Sequence, residues 1–213
     1  MTETRRMSKC RLSKCRAAVA VAALAMLFAG RGPASAADPL TEEQIVKALI
    51  PITTRSLTLA PVDNTGVDKK LLDSLRNRPA HSLTPSEREQ IATAAAAKPS
   101  IDIDINFDYR SAKISRSAAS AVNTLGKALS NPDLKGTTFI LAGHTDGKGS
   151  LPYNQELSDK RVDTVRQYLV SHFKLSPTSL VAVGYGKTKL KNEGDPFGPE
   201  NRRVQVVNMA ASN

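Results

Sequence analysis

One short stretch of this 213-residue sequence concentrates side chains that could do chemistry. From Gly143 to Arg161 it holds a histidine, three acids, two serines and an arginine within nineteen residues. Three kinds of site can be built from such a set: a catalytic centre, a metal site, or a binding socket for a charged ligand. The residue types alone do not separate them, so spacing and the surrounding elements must decide.

A catalytic interpretation would combine Ser150 or Ser158 with His144 and Asp146 as nucleophile, base and orienting acid. Neither serine lies in a Gly-x-Ser-x-Gly turn, and the sequence places Ser158 within a helix. A metal held by His144 and Asp146 would need a third ligand, and the chain has no His-Glu-x-x-His spacing to supply one. We therefore predict no catalytic residue, no metal and no cofactor.

The binding interpretation rests on Asp146 and Arg161. In a helix that begins near Asn154, Arg161 borders the apolar face, where a guanidinium without a counter-charge costs several kcal/mol in effect. Asp146 is the nearest candidate partner, and two alternatives follow. The two side chains form an ion pair with each other, or they bind the ammonium and the carboxylate of a zwitterionic ligand such as an amino-acid head group.

Alternating and helical periods predict the elements that position this stretch. Residues 101–213 read as an α/β domain, an α+β sandwich in the order β-α-β-α-β-β, with two helices packed on one mixed sheet. The predicted segments are a strand Ile101–Phe107, a helix through Ala118–Leu129, a strand Thr138–Ala142, a helix Asn154–Phe173, and strands Leu180–Val183 and Arg203–Met209.

Residues 37–100 have a helical pattern and no cluster that bears chemistry. Thr41 with Gln44, and Thr84 with Glu87, each fit a capping box at the start of a helix. Between these helices, a linker and a short leucine-containing helix that ends before Pro79 are expected. We interpret the segment as a helical lead-in or spacer, with docking to envelope proteins as the alternative.

Residues 1–36 read as a cleavable export signal. A basic opening precedes the apolar run Ala17–Gly30, and Ala34-Ser35-Ala36 supplies a small-residue cleavage site. The run has 14 residues, whereas a spanning helix needs about 20, so we expect no transmembrane span in the mature chain. Both cysteines, Cys10 and Cys15, would be removed with this segment.

Removing the signal also lowers the net charge. Seven of the 30 basic residues and one of the 20 acidic residues lie within it, so the formal charge falls from +10 to +4. A mildly basic body suits an anionic partner. Aromatic residues make up only 4% of the chain and tryptophan is absent, which argues against nucleic-acid binding.

Several spaced motifs in the second half agree with one known family. They are His144-Thr145-Asp146-x-x-Gly149-x-x-x-Tyr153-Asn154-x-x-Leu157-Ser158-x-x-Arg161, then Gly184-Tyr185-Gly186, then Asn201-Arg202-Arg203-Val204, together with the entry strand Ile105-Asn106-Phe107-Asp108. From about Ile101 to Met209 the sequence resembles the OmpA-like peptidoglycan-binding domain of outer-membrane OmpA-type porins, peptidoglycan-associated lipoproteins and flagellar stator proteins.

The resemblance implies non-catalytic binding of the diaminopimelate residue in peptidoglycan stem peptides. At the family's binding positions this chain has Asp146 and Arg161, and Asn201 and Arg202 lie at positions for secondary contacts. The loop and the helix start would be shaped by Thr145, Asn154, Leu157 and Ser158. The implied location is the periplasm, on the cell wall and near the outer membrane.

Two features depart from the family pattern. Val162 replaces the usual alanine after the motif arginine, and the segment 187–200 lacks the residues commonly found around Gly-Tyr-Gly and before Asn-Arg-Arg. Two other functions remain as alternatives to wall binding. One is an envelope scaffold that acts through residues 37–100, and the less favoured one is a cell-wall hydrolase.

Overall fold

A computed structural model describes residues 40–51, 65–105, 107–108 and 110–210 of the chain. The predicted export signal, residues 1–36, and most of the predicted linker between the first two helices lie outside these residues. None of the helices in the described ranges is both long and apolar enough to cross a bilayer.

Four strands form one mixed sheet: β1 (Ser100–Ile103), β2 (Phe139–His144), β3 (Leu180–Gly186) and β4 (Val204–Asn208). Their spatial order is β1-β4-β2-β3. The last strand, β4, lies between β1 and β2 and is antiparallel to both, whereas β2 and β3 are parallel. This arrangement confirms the predicted fold class and the predicted order of strands and helices.

Two predicted strand ends were wrong by three residues or more. β1 ends at Ile103 rather than at Phe107, because its partner β4 begins at Val204, which faces Ile103. β3 continues beyond the predicted Val183 to Gly186, because Gly184 and Gly186 face Gly143 and His144 of β2. The parallel pairing therefore extends to the motif residues at the rim of the sheet.

Three helices cover one face of this sheet. α4 (Arg116–Leu129) and α5 (Leu151–Phe173) pack there as predicted, and α1 (Glu42–Leu49) lies beside α4. Ser150 caps α5 by accepting a hydrogen bond from Tyr153 N, so the helix begins three residues earlier than predicted. Pro152 is tolerated in this first turn because its missing N–H would have no helical partner there.

The opposite face is covered by the residues before the domain. α2 (Thr65–Leu75) and α3 (Pro85–Ala95) place Leu75 and Ile91 in a core cluster with residues of β2 and β3. Both strands are buried along their whole length, so each needs apolar cover on both faces. The described part of residues 37–100 is therefore a layer of the fold and not a free spacer.

Local hydrogen bonds explain where these N-terminal helices begin. The predicted capping boxes at Thr41 and Thr84 are both present, and the side chains of Gln44 and Glu87 accept hydrogen bonds from the N–H groups of these two threonines. At the other end of α1, Asn208 Nδ2 donates to Leu49 O at 2.8 Å. β4 thus stabilises the end of a helix that lies 159 residues earlier in the chain.

A buried ion pair joins α3 to α5. Arg88 donates to both carboxylate oxygens of Asp159, at 2.8 and 3.2 Å, and also to the carbonyls of Gly184 and Ala80. The side chains are only 11% and 5% exposed. Nearby, Asp163 accepts from Ala80 N at the start of the short 3₁₀ turn Ala80–Ser82. The described residues from Leu40 onward belong to one compact unit.

We predict that Arg88→Met destabilises the protein by about 3–5 kcal/mol, because it leaves the buried Asp159 carboxylate without its counter-charge. Chemical denaturation measures this loss. Arg78→Met is the matched control, since Arg78 pairs with Glu87 on the same helix but both side chains are more exposed, at 32% and 26%. The control should lose far less stability, because water screens an exposed ion pair. Equal losses in the two variants would contradict this account of α3.

Candidate functional site

The candidate site lies on the loop between β2 and α5. Asn154 shapes this loop, because its side-chain amide donates to the carbonyls of Lys148 and Ser150 at 2.6 and 3.1 Å. Gly149 has φ +88°, a conformation that a residue with a Cβ rarely adopts. The loop is therefore fixed by its own sequence, and Asp146 is presented at the rim of the sheet.

Asp146 has a partner on each carboxylate oxygen. Oδ1 accepts a hydrogen bond from Lys148 N at 3.2 Å, and Oδ2 forms an ion pair with Arg202 Nη1 at 3.0 Å. The carboxylate side chain is 15% exposed, whereas that of Arg202 is 42% exposed. The backbone bond orients the carboxylate, and the partner on Oδ2 is a half-exposed side chain.

Arg161 is held differently. Its Nε donates to Ser111 O at 2.9 Å, its Nη2 reaches Asp108 O at 3.4 Å, and its Cζ lies 4.9 Å from the centroid of the Phe107 ring. The residue is 8% exposed, and burial lowers the pKa of its guanidinium. Within the described part of the chain, no carboxylate lies at ion-pair distance from Arg161.

These contacts exclude one of the two alternatives for Asp146 and Arg161. They do not form an ion pair with each other, although both lie near the same rim and Asp146 acts on Arg161 through space. The acid is paired with Arg202 and the guanidinium is bound by neutral carbonyl groups. The candidate socket, which is built around Asp146 and Arg161, therefore contains a paired acid and a buried cation that has no counter-ion among the described residues.

Three of the other predicted site residues serve the loop and the start of α5. Thr145 is buried, and its N–H donates to Gly186 O. Ser158 is fully buried, donates to Gln155 O and accepts from Gly186 N at 2.9 Å. Leu157 is half-buried on the same helix. His144 and Ser158 thus have packing and backbone roles, and Ser150 caps the helix.

Asn201 and Arg202 are adjacent in sequence but differ in availability. The Asn201 side chain is fully buried, accepts from the N–H groups of Lys191 and Asn192, and donates to Asp195 O at 2.8 Å. Arg202 instead reaches Asp146 and stays half-exposed. The structure therefore places Arg202 in the socket, while Asn201 shapes the segment 187–200.

His144 lies behind the socket, with its ring 5% exposed and packed on Tyr185. The pKa of this ring falls to about 4, chiefly through burial and next through the charge of Arg203. A neutral ring can donate from Nδ1 to Lys189 O at 2.9 Å, which leaves the buried Nε2 without a partner. Beside it, Arg203 Nε donates to Asp102 at 3.2 Å.

Sequence reasoning missed the groups that surround Arg161. Phe107 was assigned to a strand face, and Ser111 contributes only a backbone carbonyl, which no side-chain pattern reveals. Together with His144, Ser158, Arg202 and Arg203, Phe107 and Arg161 line a small cavity under the rim. The pair Asp102 and Arg203 was also missed, because its members are 101 residues apart.

We predict that His144→Asn flattens the acid limb of the stability profile. The ring ordinarily titrates near 6.5 but stays neutral in the native protein down to about 4. Between these pH values the unfolded chain binds a proton that the native chain does not, so stability falls as the pH falls, by about 3 kcal/mol in total. Denaturant titrations from pH 7 to pH 4 measure this slope for both proteins.

The carboxylates are common to the two proteins, so the difference between the profiles reports the histidine. Asparagine preserves a donor to Lys189 O without the titrating ring. Parallel profiles would show that His144 is not held neutral in the native state.

The comparisons with known proteins agree on one domain. Residues 106–203 match the model of the OmpA family. The chain is 32% identical over 108 residues to outer membrane porin F of Pseudomonas fluorescens, across 50% of this chain and 32% of that protein. It is 35% identical over 104 residues to the peptidoglycan-associated lipoprotein of Pseudomonas aeruginosa, across 47% of this chain and 58% of that protein.

Among solved structures, the peptidoglycan-associated lipoprotein of Burkholderia pseudomallei matches with a TM-score of 0.41 and 24% identity, covering 54% of this chain and 92% of that one. The cell wall anchor of the type VI secretion system of Pseudomonas aeruginosa matches with a TM-score of 0.43 and 20% identity, covering 64% and 99%. The chain spans about a third of the porin relative and 58% of the lipoprotein relative.

Proposed function

Because residues 106–203 form an OmpA-family domain, we propose that this protein binds peptidoglycan without cleaving it and tethers itself to the cell wall. Relatives of the matched segment are named for the outer membrane and for association with peptidoglycan. Export through residues 1–36 and a periplasmic location near the outer membrane are part of this proposal.

The observation that carries the proposal is the state of Arg161. Its guanidinium is buried, and among the described residues it donates hydrogen bonds to two neutral backbone carbonyls. A buried charge without a counter-ion costs several kcal/mol in effect, and this cost is relieved when an anion arrives. A ligand carboxylate beside Arg161 would supply the counter-ion that the described residues do not provide.

The carboxylate of Asp146 would bind the other charged group of the ligand, an ammonium. Its Oδ2 is occupied by Arg202, a side chain that is 42% exposed, so the pairing is one that costs little to exchange. A ligand ammonium can take the place of the Arg202 guanidinium on Oδ2 while Lys148 N keeps Oδ1 oriented. Arg202 would then be released to contact the ligand carboxylate.

An ammonium on Asp146 and a carboxylate on Arg161 together describe an amino-acid head group. In peptidoglycan stem peptides, the free end of diaminopimelate carries both charges on one carbon atom. Lysine at the same place in other walls carries an ammonium alone. We infer that diaminopimelate is the recognised residue, and that walls with lysine in its place bind more weakly.

One such socket makes few contacts, so its affinity for a single stem peptide should be low. The wall repeats this head group many times over its surface. A protein released from one stem peptide meets another at high local concentration, which makes attachment to the polymer firmer than to a fragment.

We predict that Asp146→Asn and Arg161→Lys each reduce co-sedimentation with purified diaminopimelate-type peptidoglycan by about tenfold or more. Asparagine keeps the size of the side chain but loses the charge that binds the ammonium. Lysine keeps the charge but loses the planar fork that matches a carboxylate. Free diaminopimelate should compete with the wall for the wild-type protein.

Glu156→Gln is the matched control, because Glu156 is an exposed acid on α5 that forms an ion pair with Lys160, and neither Asp146 nor Arg161 takes part in that pair. It should pellet like the wild type. Thermal melting of all variants separates loss of binding from loss of folding. If both socket variants remain folded and pellet like the wild type, the proposed function is wrong.

A further inference from the structure

The segment 187–200, which departs from the family pattern, is an ordered loop beside the socket. The buried side chain of Asn201 anchors this loop through hydrogen bonds to backbone groups of residues 191, 192 and 195. Asp195 fixes its tip, because its carboxylate accepts from Phe197 N at 3.2 Å and its carbonyl accepts from Gly198 N at 3.0 Å. The side chain of Phe197 is therefore presented by a constrained turn.

This loop is attached directly to the loop that carries Asp146. Gly147 N donates to Pro196 O at 2.7 Å, and a Cβ at Gly147 would lie only 3.1 Å from Pro196. From the other end of the segment, Lys187 Nζ donates to the carbonyls of Gly147 and Gly149 at 3.2 and 2.6 Å. The two loops therefore form one rigid rim.

Phe197 lies on this rim with 57% of its surface exposed. Only two other large apolar side chains in the described ranges are exposed, Ile50 directly after α1 and Leu151 at the start of α5. The Phe197 ring approaches the Cβ position of Gly147 to 3.5 Å, next to Asp146. A large aromatic ring is thus exposed to solvent beside the loop that carries Asp146.

We propose that Phe197 is a stacking platform for a sugar ring of the peptidoglycan glycan strand, at a subsite beside the peptide socket. This inference rests on the proposed function and adds the glycan to the recognised ligand. The faces of N-acetylhexosamine rings carry C–H groups that pack against aromatic rings, while their hydroxyl and amide groups stay at the edges. A rigid exposed ring makes such a contact at low cost in side-chain entropy.

The surroundings of Phe197 favour a sugar over a lipid or an apolar protein surface. Lys148, Glu193 and Asp195 are exposed on the same two loops, and the described ranges expose only two other large apolar side chains, so charged groups outnumber apolar ones on this rim. Lipids and apolar protein partners need a continuous patch of several such residues. A sugar ring needs one aromatic face with polar groups around it.

The test compares two ligands that share the same stem peptide. One is a disaccharide tetrapeptide with diaminopimelate, and the other is the same tetrapeptide without the sugars. Titration calorimetry of the purified protein should show tighter binding of the disaccharide form. Phe197→Ala should weaken binding of the disaccharide tetrapeptide by about tenfold and leave the sugar-free peptide unchanged.

Phe197→Tyr keeps the ring and should bind like the wild type, and Ile50→Ala removes another exposed apolar side chain and should change neither affinity. If the wild type binds both ligands equally, or if Phe197→Ala weakens both alike, the glycan subsite is overturned while the peptide socket stands. If the wild type binds neither ligand, the proposed function fails together with the subsite.

Discussion

The close contact between α5 and β3 determines the geometry of the molecule. A Cβ at Gly184 would lie 2.7 Å from the Asp159 backbone nitrogen, so the helix can lie this near the strand only because glycine is there. Ser158 accepts from Gly186 N, and Asp159 meets Arg88, whose guanidinium also binds the Gly184 carbonyl. This one contact therefore joins α5, β3 and the N-terminal helix α3.

The same contact positions the socket. α5 turns Arg161 towards Phe107, Asp108 and Ser111. β2, paired in parallel with β3, ends beside the start of α5, and Asp146 follows it there. Neither charged residue depends on the other for its placement. The acid is oriented by its own loop and the guanidinium by carbonyls of a different segment, so the distance between them is fixed by the fold and not by mutual attraction. Such pre-organisation lowers the cost of binding.

Periodicity and local motifs were enough to predict most of the elements. The capping boxes at Thr41 and Thr84 and the strand order along the chain depend on residues close in sequence, and these predictions are confirmed. The end of β1 was wrong, because it depends on where β4 begins about a hundred residues later. Arg88 was missed for a similar reason. On an amphipathic helix an arginine looks solvent-exposed until its partner, 71 residues away, is known.

The predictions for the site show the same contrast between features set by neighbouring residues and features set by residues distant in sequence. The family motif identified Asp146 and Arg161, but spacing did not determine their partners, because these include backbone carbonyls and Arg202 from another part of the chain. Burial of Asn201 and Ser158 likewise follows from tertiary packing, since neither residue type is usually buried.

The bond between Asn208 and the end of α1 has a mechanical consequence. β4 is an inner strand of the sheet, so tension applied through α1 would reach the middle of the domain, through the Leu49 carbonyl and the α1 side chains packed in the core. The ion pair at Arg88 gives a second route, from α3 into the helix that carries Arg161. Under the proposed function, a load between the N-terminal helices and the wall would thus be shared by two buried connections, and no edge strand would carry it alone.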